Sequence, residues 1–157
     1  MPLYFAYGSN MSPIQMEERC PGADPVGAAR LDGWRFVITT FGTANIVEDA
    51  GSHLHGVLWR CSETHLATLD EFEAVKLRTY LRRDVSVSDP PGGTHAAIAY
   101  VSGRPHPGKG RVDYMLTAVL PGARAFALPA PYIAELERWL PEGPHEAPAE
   151  RYRGRRY

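Results

Sequence analysis

Hydrophobic and polar positions along the chain change period several times, and each change predicts an element. Residues 2 to 7, aromatic-rich and loosely alternating, predict a strand that ends by delivering Tyr7 and the loop Gly8-Ser9-Asn10. A helix is predicted directly after it. Ser12 caps the helix, Pro13 suits the first helical position, Gln15 completes a capping-box pattern, and Pro21-Gly22 ends it. Alternation returns in "WRFVITT" (34–40), "TANIV" (43–47) and "HLHGVLWRC" (53–61), which read as strands. From Ser62 the period lengthens to about 3.6, predicting a capped helix over "ETHLATLDEFEAV". Two further strands, "TYLRRDVSV" (79–87) and "HAAIAYVSG" (95–103), flank the turn "SDPPGG". Beyond the Gly/Pro segment "GRPHPGKGR", the stretches "VDYMLTAVLPGARAF" and "PYIAELERWL" read as helices, with Pro129 and Pro131 punctuating between them.

Strands outnumber helices in the first two thirds, without the regular alternation that a doubly wound sheet requires. The pattern predicts one α+β domain over residues 1–140, its sheet mixed or antiparallel and able to curl into a small barrel. Residues 141–157, "PEGPHEAPAERYRGRRY", read as a Pro/Arg-rich tail.

Composition narrows the partners. The 157 residues, 44% hydrophobic and 22% charged, suit a soluble domain with one core. Seventeen basic against eighteen acidic side chains leave a net charge of -1, so no global field draws the chain to nucleic acid or an anionic membrane. No apolar stretch approaches the ~20 residues of a spanning helix, and no basic segment followed by an apolar one opens the chain. Cys20 and Cys61, without CxxC spacing, fit two packed thiols in a reducing compartment. The expected setting is the cytoplasm, and the expected partner a small molecule.

Two features carry candidate chemistry. At about 100° per residue, Leu66, Leu69 and Phe72 form one stripe of the helix after Ser62, and Glu73 falls on the same side, whereas Glu71 points to solvent and Asp70 to the edge. A carboxylate among core leucines is either half of a buried ion pair or a general acid/base whose pKa is raised by desolvation. The loop at Gly8 raises a matching question. Gly8 permits positive φ and close approach by a ligand, and the N–H groups of Gly8, Ser9 and Asn10 can converge on a carboxylate or amide oxygen. The same composition also suits a tight turn satisfied by its own side chains.

Rival motifs fail on chemistry. "GRPHPGK" has the glycine spacing of a phosphate loop, but Gly110 stands where a Ser or Thr must reach magnesium, and Pro105 and Pro107 have no N–H; it reads as a mobile loop near the pocket. His53 and His55 share a strand face without a third ligand at metal-binding spacing. Ser9 lacks a nucleophile elbow and a sequence-placed His and Asp. Arg151, Arg153, Arg155 and Arg156, interleaved with Tyr152 and Tyr157, read as a solvated terminus.

Five segments in order, "YFAYGSNM" (4–11), "ANIVED" (44–49), "HGVLWRC" (55–61), "LDEFEAVKLRTYLRRDVSV" (69–87) and "GARAFALPAPYIAEL" (122–136), resemble the γ-glutamylcyclotransferase-like family. The resemblance implies a small mixed β-barrel with peripheral helices and a pocket lined by Tyr7, Gly8, Ser9, Asn10 and Met11. It also implies Glu73 as general acid/base, and Tyr80 and Tyr114 as substrate contacts. The implied reaction converts a γ-glutamyl amide into 5-oxoproline and a free amine, with no cofactor or metal. A noncatalytic module binding a γ-glutamyl or related ligand is the alternative. Ala74 stands where the family usually has glycine, which the resemblance reads as a change in how closely backbone and substrate approach. The Tyr-Gly-Ser-Asn form departs from the Gly-Ser-Leu of the glutathione-specific branch, making glutathione a less expected substrate.

Overall fold

Alternation and burial together build five strands: β1 (Leu3–Ala6), β2 (Asp24–Ile38), β3 (Ala44–Arg60), β4 (Leu81–Asp89) and β5 (Gly93–Val101). The computed structural model describes residues 1–89, 92–143 and 145, so the assignment of the C-terminal tail lies almost wholly outside the described residues. The strands close into a barrel in the order β1-β3-β2-β4-β5. Each pairing is antiparallel except that of β5 with β1, where Tyr4 lies opposite Ile98 in a parallel register. This is the mixed barrel that the resemblance implies, and closure leaves no long unpaired edge.

The strands read from sequence at 34–40, 43–47 and 53–61 are too short. β2 and β3 run for 15 and 17 residues and pair along nearly their whole length, with register shifts between Pro25 and Gly27 and between Asp32 and Trp34. β2 opens on the exposed Asp24, Pro25 and Val26, and the middle of β3 is mostly exposed, so no buried stripe marks those sections while the backbone ladder continues. Register shifts of this kind accommodate such a bend without ending the strand.

Helices cover the barrel: α1 (Pro13–Arg19), α2 (Glu63–Phe72), α3 (Val112–Tyr114), α4 (Leu120–Ala125) and α5 (Ala130–Glu137). A π turn over Met115–Val119 joins α3 to α4, so the predicted helix over 112–126 is one winding with a widened middle. Pro121 sits just beyond that widening, at the start of α4, where its missing N–H removes one rung of the regular ladder. Phe5, Ile38, Ile46, Leu58, Leu69 and Met115 are among the fully buried side chains of the single core. No helix among the described residues is long and apolar enough to cross a membrane.

The segment 103–110, read as mobile, is fastened by its backbone. Gly108 N–H donates to the Ile38 carbonyl at 2.7 Å, Gly110 N–H to that of Trp139 at 2.7 Å, and Pro105 O accepts from Thr40 at 2.9 Å. These bonds offset the two donors lost at Pro105 and Pro107.

Candidate active site

The N-terminal wall forms where β1 stops. Beyond Ala6 the chain passes Tyr7 and Gly8 and winds into a 3-10 turn, Ser9–Met11, then into α1. Ser12 caps α1 by accepting from the Gln15 N–H at 3.2 Å, and Pro13 occupies the first turn, as the sequence predicts. The capping box is only half made. Instead of returning to Ser12, Gln15 Nε2 donates to Ser9 Oγ at 2.6 Å and to Asn10 Oδ1 at 2.9 Å. The first amides of a helical turn have no carbonyl behind them within that turn. Ser9 and Asn10, at the start of this turn, line the cleft.

Gly8 has φ -116°, so the turn uses its missing Cβ rather than left-handed freedom. A Cβ there would stand 2.7 Å from Tyr114 Oη and 3.1 Å from Ala44 Cβ. Met11 departs from the expectation that it lines the pocket. It is fully buried in the core, and its backbone packs so tightly on α4 that a Cβ on Gly122 would come within 2.5 Å of its carbonyl carbon.

The opposite wall comes from the end of α2. Ser62 and His65 cap this helix reciprocally, Ser62 N–H donating to His65 Nδ1 and His65 N–H to Ser62 Oγ, both at 3.1 Å. Leu66 and Leu69 are buried as the wheel predicts. Phe72 is half-buried, with the Arg19 guanidinium 4.2 Å above its ring centroid. Glu73 is the C-cap rather than an interior helical residue, at φ -85° and ψ 0°, and its N–H still donates to Leu69 O at 2.8 Å. That near-helical geometry preserves the side that the wheel assigned to it.

Ala74 then adopts φ 51° and ψ 49°, the left-handed conformation that turns the chain. The family's usual glycine at this place thus answers a backbone demand, and not the closer substrate approach read from the resemblance: Ala74 is not among the cleft-lining residues. The turn brings Tyr80 back, its N–H donating to Glu73 O at 3.2 Å.

Between the walls lies a small cleft. Glu73, Tyr7, Gly8, Ser9, Asn10, Tyr80 and Tyr114 all line it, so the structure brings together every residue nominated from sequence except Met11. Tyr7 donates from its hydroxyl to Tyr100 O. Tyr80 donates to Ala44 O at 2.9 Å, and Ala44 N–H donates to Tyr114 Oη at 3.1 Å. The two tyrosines thereby clamp the start of β3 from both sides.

Burial pushes the Glu73 carboxyl up to about 7, against the opposing fields of Arg19 and Arg104. Among the described residues Glu73 forms no ion pair, which removes the simplest alternative for a carboxylate in this position. Arg19 instead donates from Nη1 to Asn10 Oδ1 at 3.0 Å. Arg104 stacks 4.2 Å from the Phe41 ring centroid and 5.9 Å from that of Tyr80.

Sequence reasoning missed Tyr4, Arg19, Thr43, Ala44, Phe72 and Tyr100 as cleft residues. A two-residue strand period puts Tyr4 on the side of Ala6 and Gly8, a signal that the sequence carries. Ala44 and Tyr100 arrive by strand order, which no local period carries. Elsewhere, His53 and His55 do share a face, their rings 5.4 Å apart, with His55 edge-on to Tyr132 at 5.0 Å. Among the described residues no group of three or more His, Cys, Asp or Glu is arranged to hold a metal ion. Cys20 and Cys61 are buried free thiols, which burial pushes up to about 11 and about 12.

A closed mixed barrel whose first strand-to-helix loop faces Glu73 across a cleft is the architecture that holds the site. The chain belongs to the gamma-glutamyl cyclotransferase, AIG2-like family, whose model matches residues 4–117. It is 30% identical over 150 residues to the gamma-glutamylcyclotransferase of Mus musculus, spanning 86% of this chain and 77% of that relative. The Homo sapiens protein of the same name is 29% identical over 150 residues, with the same two coverages. Among solved structures, a gamma-glutamyl cyclotransferase superposes with TM-score 0.83 at 25% identity, over 96% of this chain and 93% of that one. YkqA from Bacillus subtilis superposes with TM-score 0.75 at 27% identity, over 90% of this chain and 56% of that one.

Proposed function

We propose that this chain is a γ-glutamylcyclotransferase. It cleaves a γ-glutamyl amide by attack of the glutamyl α-amine on its own γ-carbonyl, releasing 5-oxoproline and a free amine, with Glu73 carrying the protons. The observation behind this reading is the desolvated Glu73 carboxyl, raised to about 7, on the same cleft as Ser9 and Asn10.

The nucleophile belongs to the substrate, and closing a five-membered ring within one molecule supplies a large effective molarity once the chain is folded back. The protein must orient the glutamyl group and move protons. Near neutral pH the α-amine is an ammonium ion, so a base has to take one proton before attack, and the leaving amine needs one afterwards. A carboxyl near 7 is populated in both forms there and performs both transfers. The loop amides hold glutamyl oxygen atoms in a site walled by tyrosines. Ser9 is no nucleophile on this reading: its Oγ is held by Gln15 Nε2 at 2.6 Å.

The test is a panel of γ-glutamyl amides of amino acids, polyamines and lysine side chains, incubated with the wild type and Glu73→Gln while 5-oxoproline is followed by mass. The wild type releases it, and Glu73→Gln loses at least about 100-fold in turnover while still binding substrate. Near-normal turnover by Glu73→Gln removes Glu73 from the chemistry. Binding without turnover by the wild type makes the chain a noncatalytic γ-glutamyl module.

A further inference from the structure

Five tyrosines line the cleft, and the direction of each hydroxyl proton can be worked out from its partners. Tyr7, Tyr80 and Tyr100 spend theirs within the protein, on Tyr100 O, Ala44 O and Asp70 Oδ1 respectively. Tyr114 Oη accepts from the Ala44 N–H at 3.1 Å, and that residue has further interactions within the protein. Tyr4 also accepts. Its one hydrogen bond among the described residues is received, from Asn10 Nδ2 at 3.1 Å.

That role is dictated from a distance. A guanidinium only donates, and Arg19 Nη1 lies 3.0 Å from Asn10 Oδ1, so the Asn10 amide cannot be turned the other way round. Its NH₂ must face Tyr4, and Tyr4 Oη must accept. The Tyr4 proton is left for another acceptor, on a side chain only 4% exposed that lines the cleft beside Glu73. Burial and the nearby Glu73 charge both push the Tyr4 hydroxyl well above its ordinary range, which keeps that proton in place. A buried donor left without an acceptor costs about 1–3 kcal/mol, a cost that a bound ligand's oxygen removes.

We propose that Tyr4 is a catalytic residue whose O–H donates to the γ-carbonyl oxygen of the substrate. This rests on the cyclotransferase reading. As the α-amine forms its bond to the γ-carbon, the carbonyl electron pair moves onto oxygen, and the Tyr4 hydrogen bond strengthens without passing its proton on. When the bond to the leaving amine breaks, that pair returns and the carbonyl re-forms. Two protons leave the α-nitrogen as the α-ammonium becomes the ring amide N–H, and Glu73 relays them in turn to the departing nitrogen, which leaves as an ammonium ion. The loop amides of Ser9 and Asn10 are then left to the glutamyl α-carboxylate.

The experiment is a double-mutant cycle on Tyr4→Phe and Asn10→Asp, with kcat read on the high-pH plateau and circular dichroism confirming the fold. Tyr4→Phe keeps the ring, which packs edge-on to Tyr100 at 5.7 Å. It should lower kcat about 100-fold, the usual effect of removing one oxyanion donor, with KM within about threefold. Asn10→Asp keeps the Tyr4 hydroxyl but supplies a carboxylate that captures its proton, so it should lower kcat comparably. The double variant should lose no more than about threefold beyond the worse single one. Should Tyr4→Phe fail to fold, Asn10→Asp decides the matter, because its tyrosine ring is intact. The proposal is overturned if either folded single variant keeps kcat within about threefold of wild type, or if the two losses multiply. It is equally overturned if Tyr4→Phe merely shifts the acid limb of the pH profile, which assigns the proton to Glu73 instead. A wild type inert on the whole panel overturns the proposed function and this proposal together, whereas an active wild type with unaffected variants overturns this one alone.

Discussion

Tyr114 places its hydroxyl oxygen 2.7 Å from where a Cβ on Gly8 would lie, and that hydroxyl is held there by the Ala44 N–H at 3.1 Å. Loop and barrel are fitted to each other through one missing methyl group. Gly8→Ala should therefore displace either the loop or the Tyr114 ring and lower kcat/KM by at least about tenfold, a loss of about 1.4 kcal/mol. Adding Tyr114→Phe removes the obstructing oxygen and leaves Tyr114 Cζ at 3.9 Å, an ordinary contact. The double variant should recover part of the loss in a steady-state assay, relative to Gly8→Ala alone.

Glu73 also sets a pH dependence of stability. Its carboxyl rises from 4.5 to about 7 on folding, so between those values the native state holds a proton that the unfolded chain has released. Stability contributed by this group is full below about 4.5 and falls as pH rises to about 7. The loss amounts to about 3 kcal/mol. Urea titrations from pH 4.5 to 8 should show the wild type weakening relative to Glu73→Gln, with the two curves parallel above pH 7.5. A difference that grows on acidification instead would contradict the desolvated carboxyl.

On the proposed mechanism the same group governs the rate profile. A base that must be ionised gives kcat/KM an acid limb near pH 7, the value to which burial raises Glu73. Arg104 holds that value down through its positive charge. Arg104→Gln should move the acid limb upward, measured as the midpoint of kcat/KM against pH, while the far-ultraviolet circular dichroism stays that of the wild type.

Ala74 carries a strain that glycine would release. A left-handed non-glycine residue costs roughly 1–2 kcal/mol, and the added freedom of glycine in the unfolded chain takes back about 0.4–1 kcal/mol. Relief wins by a small margin, so Ala74→Gly should stabilise the protein by about 0.5–1 kcal/mol and raise Tm by roughly 2 °C. Calorimetry measures it. The substitution leaves every cleft-lining side chain in place, and turnover should change by less than about twofold.

Several elements are legible in the amino-acid order alone. Ser12 and Ser62 cap their helices, Pro13 sits in the first turn, and Leu66, Leu69 and Glu73 lie on the side that the wheel assigns. Each depends on atoms within four residues, where side-chain type and spacing suffice. The wheel carries Glu73 one step too far, into the helix rather than onto its cap, because αR geometry persists for a residue after the α-helical ladder ends. β2 and β3 are cut short for the opposite reason. The exposed start of β2 and the exposed middle of β3 carry no buried stripe, and their continuity rests on hydrogen bonds to each other across the hairpin.

The resemblance finds the loop and the glutamate but also nominates Met11, whose burial follows from α4 packing against it through Gly122. Tyr4, Arg19 and Tyr100 escape it, and they set the hydrogen bonds around the cleft. Arg19 orients Asn10, Asn10 orients Tyr4, and Tyr100 receives Tyr7.

Local order, then, is written in the chain: where strands and helices begin, which residues cap them, and that one carboxylate lies on an apolar side. Closure of the barrel, with β1 between β3 and β5, decides the rest. It brings Ala44 and Tyr100 to the loop at Gly8 and leaves Glu73 only partly exposed on the cleft. Desolvation and hydrogen-bond direction are properties of groups far apart in sequence, and they exist only once the fold has gathered those groups around a common space.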